Sequence, residues 1–127
     1  MIKMTFFIIP VVKQRARIGK WGAYTPRKTA EFEKIVKAMA KALMEGKKPL
    51  TGPVRLSARF IFKPPKKTSR TYPCKGDTSN FLKALEDACN GAIWVDDVQI
   101  VEVNASKLYD MAGGASRIEL DVEELND

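Results

Sequence analysis

The chain has no histidine and only two cysteines, Cys74 and Cys89. Without histidine it can form neither a Ser/His/Asp nor a Cys/His triad, and two thiols alone cannot supply the four ligands of a zinc site. We expect both cysteines to be reduced thiols. Any catalysis must therefore use Asp, Glu, Lys or Tyr side chains, or a hard metal ion.

Long hydrophobic runs are also missing. The apolar opening, residues 1–12, contains Lys3 and Pro10 and is too short to span a bilayer or to form a secretory signal with its cleavage site. We therefore expect a cytoplasmic protein without a membrane partner. A chain of 127 residues with 45% hydrophobic and 29% charged residues predicts one globular domain, residues 1–127, with a packed core.

Acidic residues are scarce in the first part of the chain. Residues 1–76 hold 19 of the 22 lysines and arginines but only three acids, a balance of +16. Residues 77–127 hold three basic residues against twelve acids, a balance of −9. Nucleic acid is the simplest partner for the basic part, because neutralising phosphates releases counterions and drives binding. The alternative is that a lysine-rich surface only increases solubility.

The spacing of apolar residues predicts an α+β fold with the element order β-α-β-α-β-β. We expect strands near residues 4–12, 54–62, 98–108 and 117–123, and helices near residues 25–44 and 77–90. Residues 13–24 and 63–76 are predicted to be basic loops. The strand at 54–62 should have one apolar and one basic face, and the last strand an acidic outer face. We expect a mixed four-stranded sheet with helices on one face. The sequence does not predict the order of the strands in this sheet.

Carboxylates in the second part of the chain are the candidates for chemistry. Asp77 stands at a predicted helix start, where it would also suit an N-cap, and Lys83 is spaced to pair with Asp87. Asp96 and Asp97 interrupt an apolar run, either turning into solvent or forming part of a site. If they converge with Asp77, the oxygen ligands and absent histidine favour Mg²⁺ or Mn²⁺.

Residues 75–91, followed by residues 94–99, resemble the RusA-like Holliday junction resolvases. Residues 13–17 and 24–26 are similar to the basic N-terminal segment of that family, and residues 117–123 to its last strand, so the resemblance covers nearly the whole chain. The resemblance implies a small homodimeric, Mg²⁺-dependent endonuclease of a kind often encoded by phages and prophages. Such an enzyme resolves four-way junctions and related branched DNA by paired phosphodiester hydrolysis in recombination and repair.

The resemblance also implies roles for particular residues. Asp77 and Asp97 match catalytic metal-binding aspartates, Asp96 is a neighbouring ligand, Lys83 matches the catalytic lysine and Asn80 would orient a ligand or water. Mg²⁺ would be the cofactor, with Mn²⁺ as a substitute, and no small molecule would be the substrate. Residues expected to hold DNA, chiefly through phosphates, are Lys13, Gln14, Arg15, Arg17, Lys66, Lys67, Arg70 and Lys75.

One position departs from the family pattern. Ser79 stands where the family usually has a second aspartate, which would weaken the hold on the metal. Glu86 lies two helical turns further on and is a candidate to compensate, although it could simply be solvated. The alternative is a catalytically silent protein that binds branched DNA, in which Ser79 marks a lost metal site. A third alternative is a small RNA-binding module with solubilising acids.

Aromatic side chains could stack on unpaired bases at a branch. Trp94 lies in an apolar run and is expected in the core, as is Cys89 on the apolar stripe of the second helix. Trp21 lies in a basic segment, where stacking and a structural role are equally compatible with the sequence. Tyr24 and Tyr72 are further candidates for stacking.

Overall fold

The computed structural model describes residues 1–126. The predicted order of helices and strands is confirmed, with one additional hairpin between the first strand and the first helix. No helix within the described residues is long and apolar enough to cross a membrane. In chain order the elements are β1 (Ile2–Phe6), β2 (Arg17–Gly19), β3 (Gly22–Tyr24), α1 (Arg27–Leu43), β4 (Val54–Phe62), α2 (Thr78–Cys89), a short 3-10 helix (Asp97–Gln99), β5 (Ile100–Tyr109) and β6 (Arg117–Glu124).

The main sheet has four strands in the order β1-β6-β4-β5. β6 runs antiparallel to both β1 and β4, whereas β5 runs parallel to β4, so the sheet is mixed as predicted. Helix α2 connects the parallel strands β4 and β5, as a parallel connection requires. The loop before α2 therefore leaves one end of these strands, and the segment after α2 enters at the other end.

The core lies between one face of the sheet and the two helices. The inward residues of β4 and β6 alternate with outward ones, as expected for a sheet with one buried face. Burying each large apolar side chain contributes roughly 1.5–3 kcal/mol. Cys89 and Trp94 are fully buried, which confirms their predicted core positions. The sheet and helix core includes Leu56, Phe60, Ile118, Leu120, Val36, Phe81 and Leu85.

The outer face of β4 carries the predicted basic residues Arg55 and Arg59, but both are paired with acids of neighbouring strands. Arg59 pairs with Glu119 at 3.1 Å and with Asp121 at 3.4 Å, and Arg55 pairs with Glu102 at 2.8 Å. The acidic outer residues of β6 lie beside β4 in the sheet, so the predicted basic and acidic faces neutralise each other. Strand neighbours, which the sequence did not provide, decide this outcome.

The segment predicted as a basic loop at residues 13–24 contains the antiparallel hairpin of β2 and β3. Gly22, at the turn, has a φ of +111°, a conformation that glycine adopts readily and other residues rarely do. All six strand residues are exposed, and so are the side chains of Ile18 and Trp21. Three-residue strands carry too little alternation to be recognised from the sequence.

Candidate active site and nucleic-acid surface

Gly76 and Asp77 form a tight entry into helix α2. Gly76 has a φ of +81°, and a Cβ at this position would lie 2.6 Å from the ring of Phe81, so only glycine fits. The Lys107 ammonium donates a 2.8 Å hydrogen bond to the Gly76 carbonyl. Asp77 takes the N-cap position with an exposed side chain, but its carboxylate makes no capping hydrogen bond. The N-cap interpretation of this carboxylate is therefore wrong, and the group is accessible to a ligand.

Four side chains on and beside α2 form a connected polar group, here called the Asp97 cluster: Lys83, Asp87, Asn90 and Asp97. The Lys83 ammonium lies 3.2 Å from Asp87 and 3.3 Å from Asp97, so it joins the two carboxylates. The i,i+4 pair of Lys83 and Asp87 predicted from the sequence is confirmed. Hydrogen bonding to Asp87 and then to Asp97 raises the pKa of Lys83 despite partial burial. The lysine is therefore charged at neutral pH.

Asn90 fixes the carboxylate of Asp97 from the other side. Its side-chain amide donates to Asp97 at 3.3 Å, while its carbonyl oxygen accepts a 2.7 Å hydrogen bond from the Trp94 indole. Burial alone would raise the pKa of Asp97, but the hydrogen bonds from Asn90 and Lys83 outweigh it and the pKa is lowered. The sequence indicated Asn90 only as a helix stop. Its spacing of seven residues from Lys83, on the same helical stripe, was the signal for this role.

Lys13 joins the Asp97 cluster to the basic N-terminal segment. Its ammonium pairs with Glu33 and lies 3.1 Å from Asp87, and its backbone N–H donates to the Asn80 carbonyl at 2.9 Å. Burial opposes the charge of Lys13, but the bonds to both carboxylates raise its pKa. This predicted DNA ligand thus already has two acidic partners.

Glu86 lies next to the Asp97 cluster on α2 and is half-buried. Burial raises the pKa of Glu86, and the negative charge of Asp97 raises it further. Ser79, the position without the family's carboxylate, is exposed on the first turn of the same helix. Glu86 thus supplies a carboxylate on the same helix as Ser79, whose side chain has none.

The predicted metal ligands are not assembled into one group. Asp77 precedes Lys83 by six residues, which corresponds to about 9 Å along the helix axis. Asp96 is exposed at the start of the 3-10 helix, where its backbone N–H donates to the Gln99 side chain. Within residues 1–126, no three acidic or thiol side chains lie close enough together to surround an ion. The structure therefore pairs Lys83 with Asp97 directly, and among residues 1–126 the predicted carboxylates do not form a group of three.

Most of the predicted DNA ligands are exposed cations on two loops. Those of the first loop precede or begin the hairpin, and Lys20 lies 5.5 Å from the centre of the Trp21 ring in a cation–π contact. Gln14 is half-buried against Thr29. Within the described part of the chain, no carboxylate pairs with the exposed cations Arg15, Arg17, Lys66, Lys67, Arg70 and Lys75.

Comparison with known proteins adds two findings. The chain matches the family described as Endodeoxyribonuclease RusA over residues 8–123, a range that contains all the site residues considered above. It is also similar to a Bacillus subtilis (strain 168) protein described as uncharacterized protein YqaN. The two are 28% identical over 142 aligned positions, which cover 98% of this chain and 97% of the relative.

Proposed function

Since this chain belongs to the RusA endodeoxyribonuclease family, a family of DNA-cleaving hydrolases, we propose that it resolves four-way junctions by metal-dependent hydrolysis. Related branched DNA would also be cut, in recombination and repair. The observation that carries the site assignment is the placement of Lys83 between Asp87 and Asp97. The exposed cations of the two basic loops supply the surface that holds phosphates.

Lys83 supplies the positive charge that phosphodiester hydrolysis requires. Negative charge grows on the phosphoryl oxygens in the transition state, and a fixed cation beside them lowers the barrier. The lysine side chain is 51% exposed, so its ammonium can meet a phosphate oxygen while Asp87 and Asp97 hold it in place. Asn90 keeps Asp97 oriented, which limits the reorganisation needed when substrate binds.

The donor chemistry around Asp97 fits Mg²⁺. This ion takes oxygen ligands, keeps several waters, and commonly uses one or two carboxylates together with substrate phosphate oxygens. Asp97 and Glu86 would hold it, and Asp77 is the accessible carboxylate at the start of the same helix; Asp96 remains a further candidate. When bound, the ion would polarise the scissile phosphate and activate a water molecule, and Mn²⁺ would substitute.

We further propose that the active form is a homodimer. A four-way junction offers two related strands, and a protein with two-fold symmetry can place one active site on each. This proposal is supported by the family to which the chain belongs and by the paired cuts that resolution requires.

Cleavage of a synthetic four-way junction tests the proposed function. The junction and a linear duplex of the same arm sequence would be incubated with the protein in Mg²⁺, in Mn²⁺ and in a chelator. We expect paired nicks in the junction, little cutting of the duplex and no activity in the chelator. Equal cutting of both DNAs, or cutting in the chelator, would contradict the proposal.

A catalytically silent binder of branched DNA is the second candidate. It is favoured by Ser79 in place of a carboxylate and by the absence of a three-carboxylate group among residues 1–126. Tight binding of the junction without cleavage in either metal would establish this alternative and exclude the first. Preference for single-stranded RNA over the junction would instead support an RNA-binding module.

A further inference from the structure

A cavity of about 640 Å³ opens on the surface beside the start of α2. This volume lies within the range of small-ligand sites, roughly 300–1,000 Å³. Three aromatic side chains, Phe62, Phe81 and Tyr109, line it together with four prolines. Three lysines, Lys28, Lys63 and Lys75, also line the cavity and are exposed to solvent. The cavity thus combines apolar walls with positive charge.

The walls of the cavity are held by the fold. The backbone N–H of Tyr109 donates to the Thr71 carbonyl at 2.8 Å, and the N–H of Asp110 donates to the Phe62 carbonyl at 2.9 Å. The rings of Phe62 and Phe81 lie 5.4 Å apart in a tilted arrangement, which fixes their positions relative to each other. The loop that carries Lys63 and the end of β5 are therefore joined before any ligand binds.

We propose that this cavity binds one unpaired nucleobase of a DNA strand, with Lys28, Lys63 and Lys75 contacting the adjacent phosphates. The inference rests on the proposed function, since it assumes that branched DNA is the substrate. A nucleobase offers a flat π-face to aromatic and proline walls, and its strand carries an anion on each side. No acidic side chain of the described residues lines the cavity, and none pairs with these three lysines.

Charge and position favour a nucleotide over an apolar side chain of another protein. An apolar side chain would fill the cavity and contact its apolar walls, but it would leave the three lysine ammonium groups without partners. Two residues expected from the sequence to bind DNA, Gln14 and Lys75, also line the cavity. Gly76, a further lining residue, immediately precedes Asp77. A base held here would bring its strand to the accessible carboxylate of Asp77.

Binding to a duplex with one unpaired 5-iododeoxyuridine tests the inference, with the fully paired duplex as reference. Wild type should prefer the bulged duplex, and Tyr109→Leu should reduce that preference roughly tenfold by removing a stacking surface. Lys63→Ala should also reduce it. Lys67→Ala is the matched control, because Lys67 lies in the same loop but does not line the cavity. It should weaken binding to both duplexes equally.

Photocrosslinking of the wild-type protein to the iodinated base gives a readout that does not depend on a variant folding. We expect crosslinked peptides that contain Tyr109, Phe62 or Phe81. Crosslinks found only outside the cavity, or a Tyr109→Leu preference equal to wild type, would overturn the inference. If wild type cuts four-way junctions without these crosslinks, only the inference fails. Crosslinks in the cavity without junction cleavage would instead support the inference and contradict the proposed function.

Discussion

Lys83 lies between the carboxylates of Asp87 and Asp97, and both stabilise its positive charge. The roles of Lys83 and Asp97 were implied by the resemblance to the RusA-like family, and Asp97 also belongs to an acid pair that interrupts an apolar run. The connection through Asn90 to Trp94 was not predicted, because it depends on how the segment after α2 folds back along the helix. The sequence thus predicted which residues belong to the site, whereas their hydrogen-bonding partners depend on the tertiary structure.

Glu86→Gln tests whether Glu86 takes the part of the carboxylate missing at Ser79. The change keeps the size of the side chain but removes its charge beside Asp97, so metal binding should weaken. We expect the Mg²⁺ concentration for half-maximal junction cleavage to rise by roughly tenfold. A titration of cleavage against Mg²⁺ measures this directly, and Glu45→Gln, at an exposed position after α1, is the control. Unchanged Mg²⁺ dependence would remove Glu86 from the ligand set.

At the scale of elements, helices and strands differ in how well the sequence predicts them. Both helices were predicted because they carry apolar stripes and clear ends, and α1 begins at Arg27, two residues after its predicted start, with Pro26 at the N-cap. The hairpin of β2 and β3 was missed because its strands bury nothing. Strand β1 ends at Phe6, whereas the prediction extended it to residue 12. Pro10 lies within the predicted stretch and lacks the N–H that pairing in a sheet requires. Residues 10–12 instead help to line the cavity.

Trp21→Ala tests whether the hairpin contacts the branch point. The Trp21 side chain is 92% exposed and therefore contributes little to folding, but its ring can stack on unpaired bases. We expect affinity for a four-way junction to fall by roughly five- to tenfold, with affinity for linear duplex unchanged. Fluorescence anisotropy of dye-labelled junction and duplex measures both affinities, because this signal does not depend on a tryptophan of the protein.

Ile18→Ala is the matched control for this prediction. Ile18 is 89% exposed on the same hairpin but lacks an aromatic ring. Its replacement should leave the preference for the junction intact. If Trp21→Ala weakens junction and duplex binding equally, the hairpin contributes general affinity rather than stacking at the branch.

At the scale of the whole molecule, the division between basic and acidic parts of the sequence is only partly preserved in space. The arginines of β4 belong to the basic part but are neutralised by the acids of β6, so they do not face DNA as free cations. The loops at residues 13–24 and 63–76 keep most of their positive charge. The composition therefore predicted a nucleic-acid partner, but it could not separate surface cations from those used to hold the sheet together.

Glu119→Gln tests the stabilising role of this charged outer face. Hydrogen bonds from Arg117 and Arg59 lower the pKa of Glu119 below its ordinary value of 4.5. Its contribution to stability is thus fully present above pH 4.5 and is lost as the pH falls through the lowered pKa. We expect the variant to lose at most about 1 kcal/mol of unfolding free energy at pH 7, because these groups are partly exposed.

Urea unfolding at pH 7 and at pH 3 measures this difference. The difference in unfolding free energy between wild type and Glu119→Gln should narrow at the lower pH, because below pH 4.5 the carboxylate is increasingly protonated in the unfolded chain. Glu45→Gln is the control and should be neutral at both pH values, because Glu45 forms no ion pair within residues 1–126. If the difference in unfolding free energy is the same at both pH values, the effect of the substitution comes from packing rather than from charge.

In the proposed enzyme, carboxylates on one part of the molecule cut DNA while exposed cations elsewhere hold it. Asp97→Asn tests this most directly, because it removes one charge and leaves the basic loops unchanged. We expect nicking of a four-way junction in Mg²⁺ to fall by roughly a hundredfold, with junction affinity within about twofold of wild type. Asp121→Asn, on the outer face of β6, should retain both properties. Loss of binding together with cutting would show that Asp97 is not confined to catalysis, and full nicking by Asp97→Asn would show that Asp97 is not a catalytic residue.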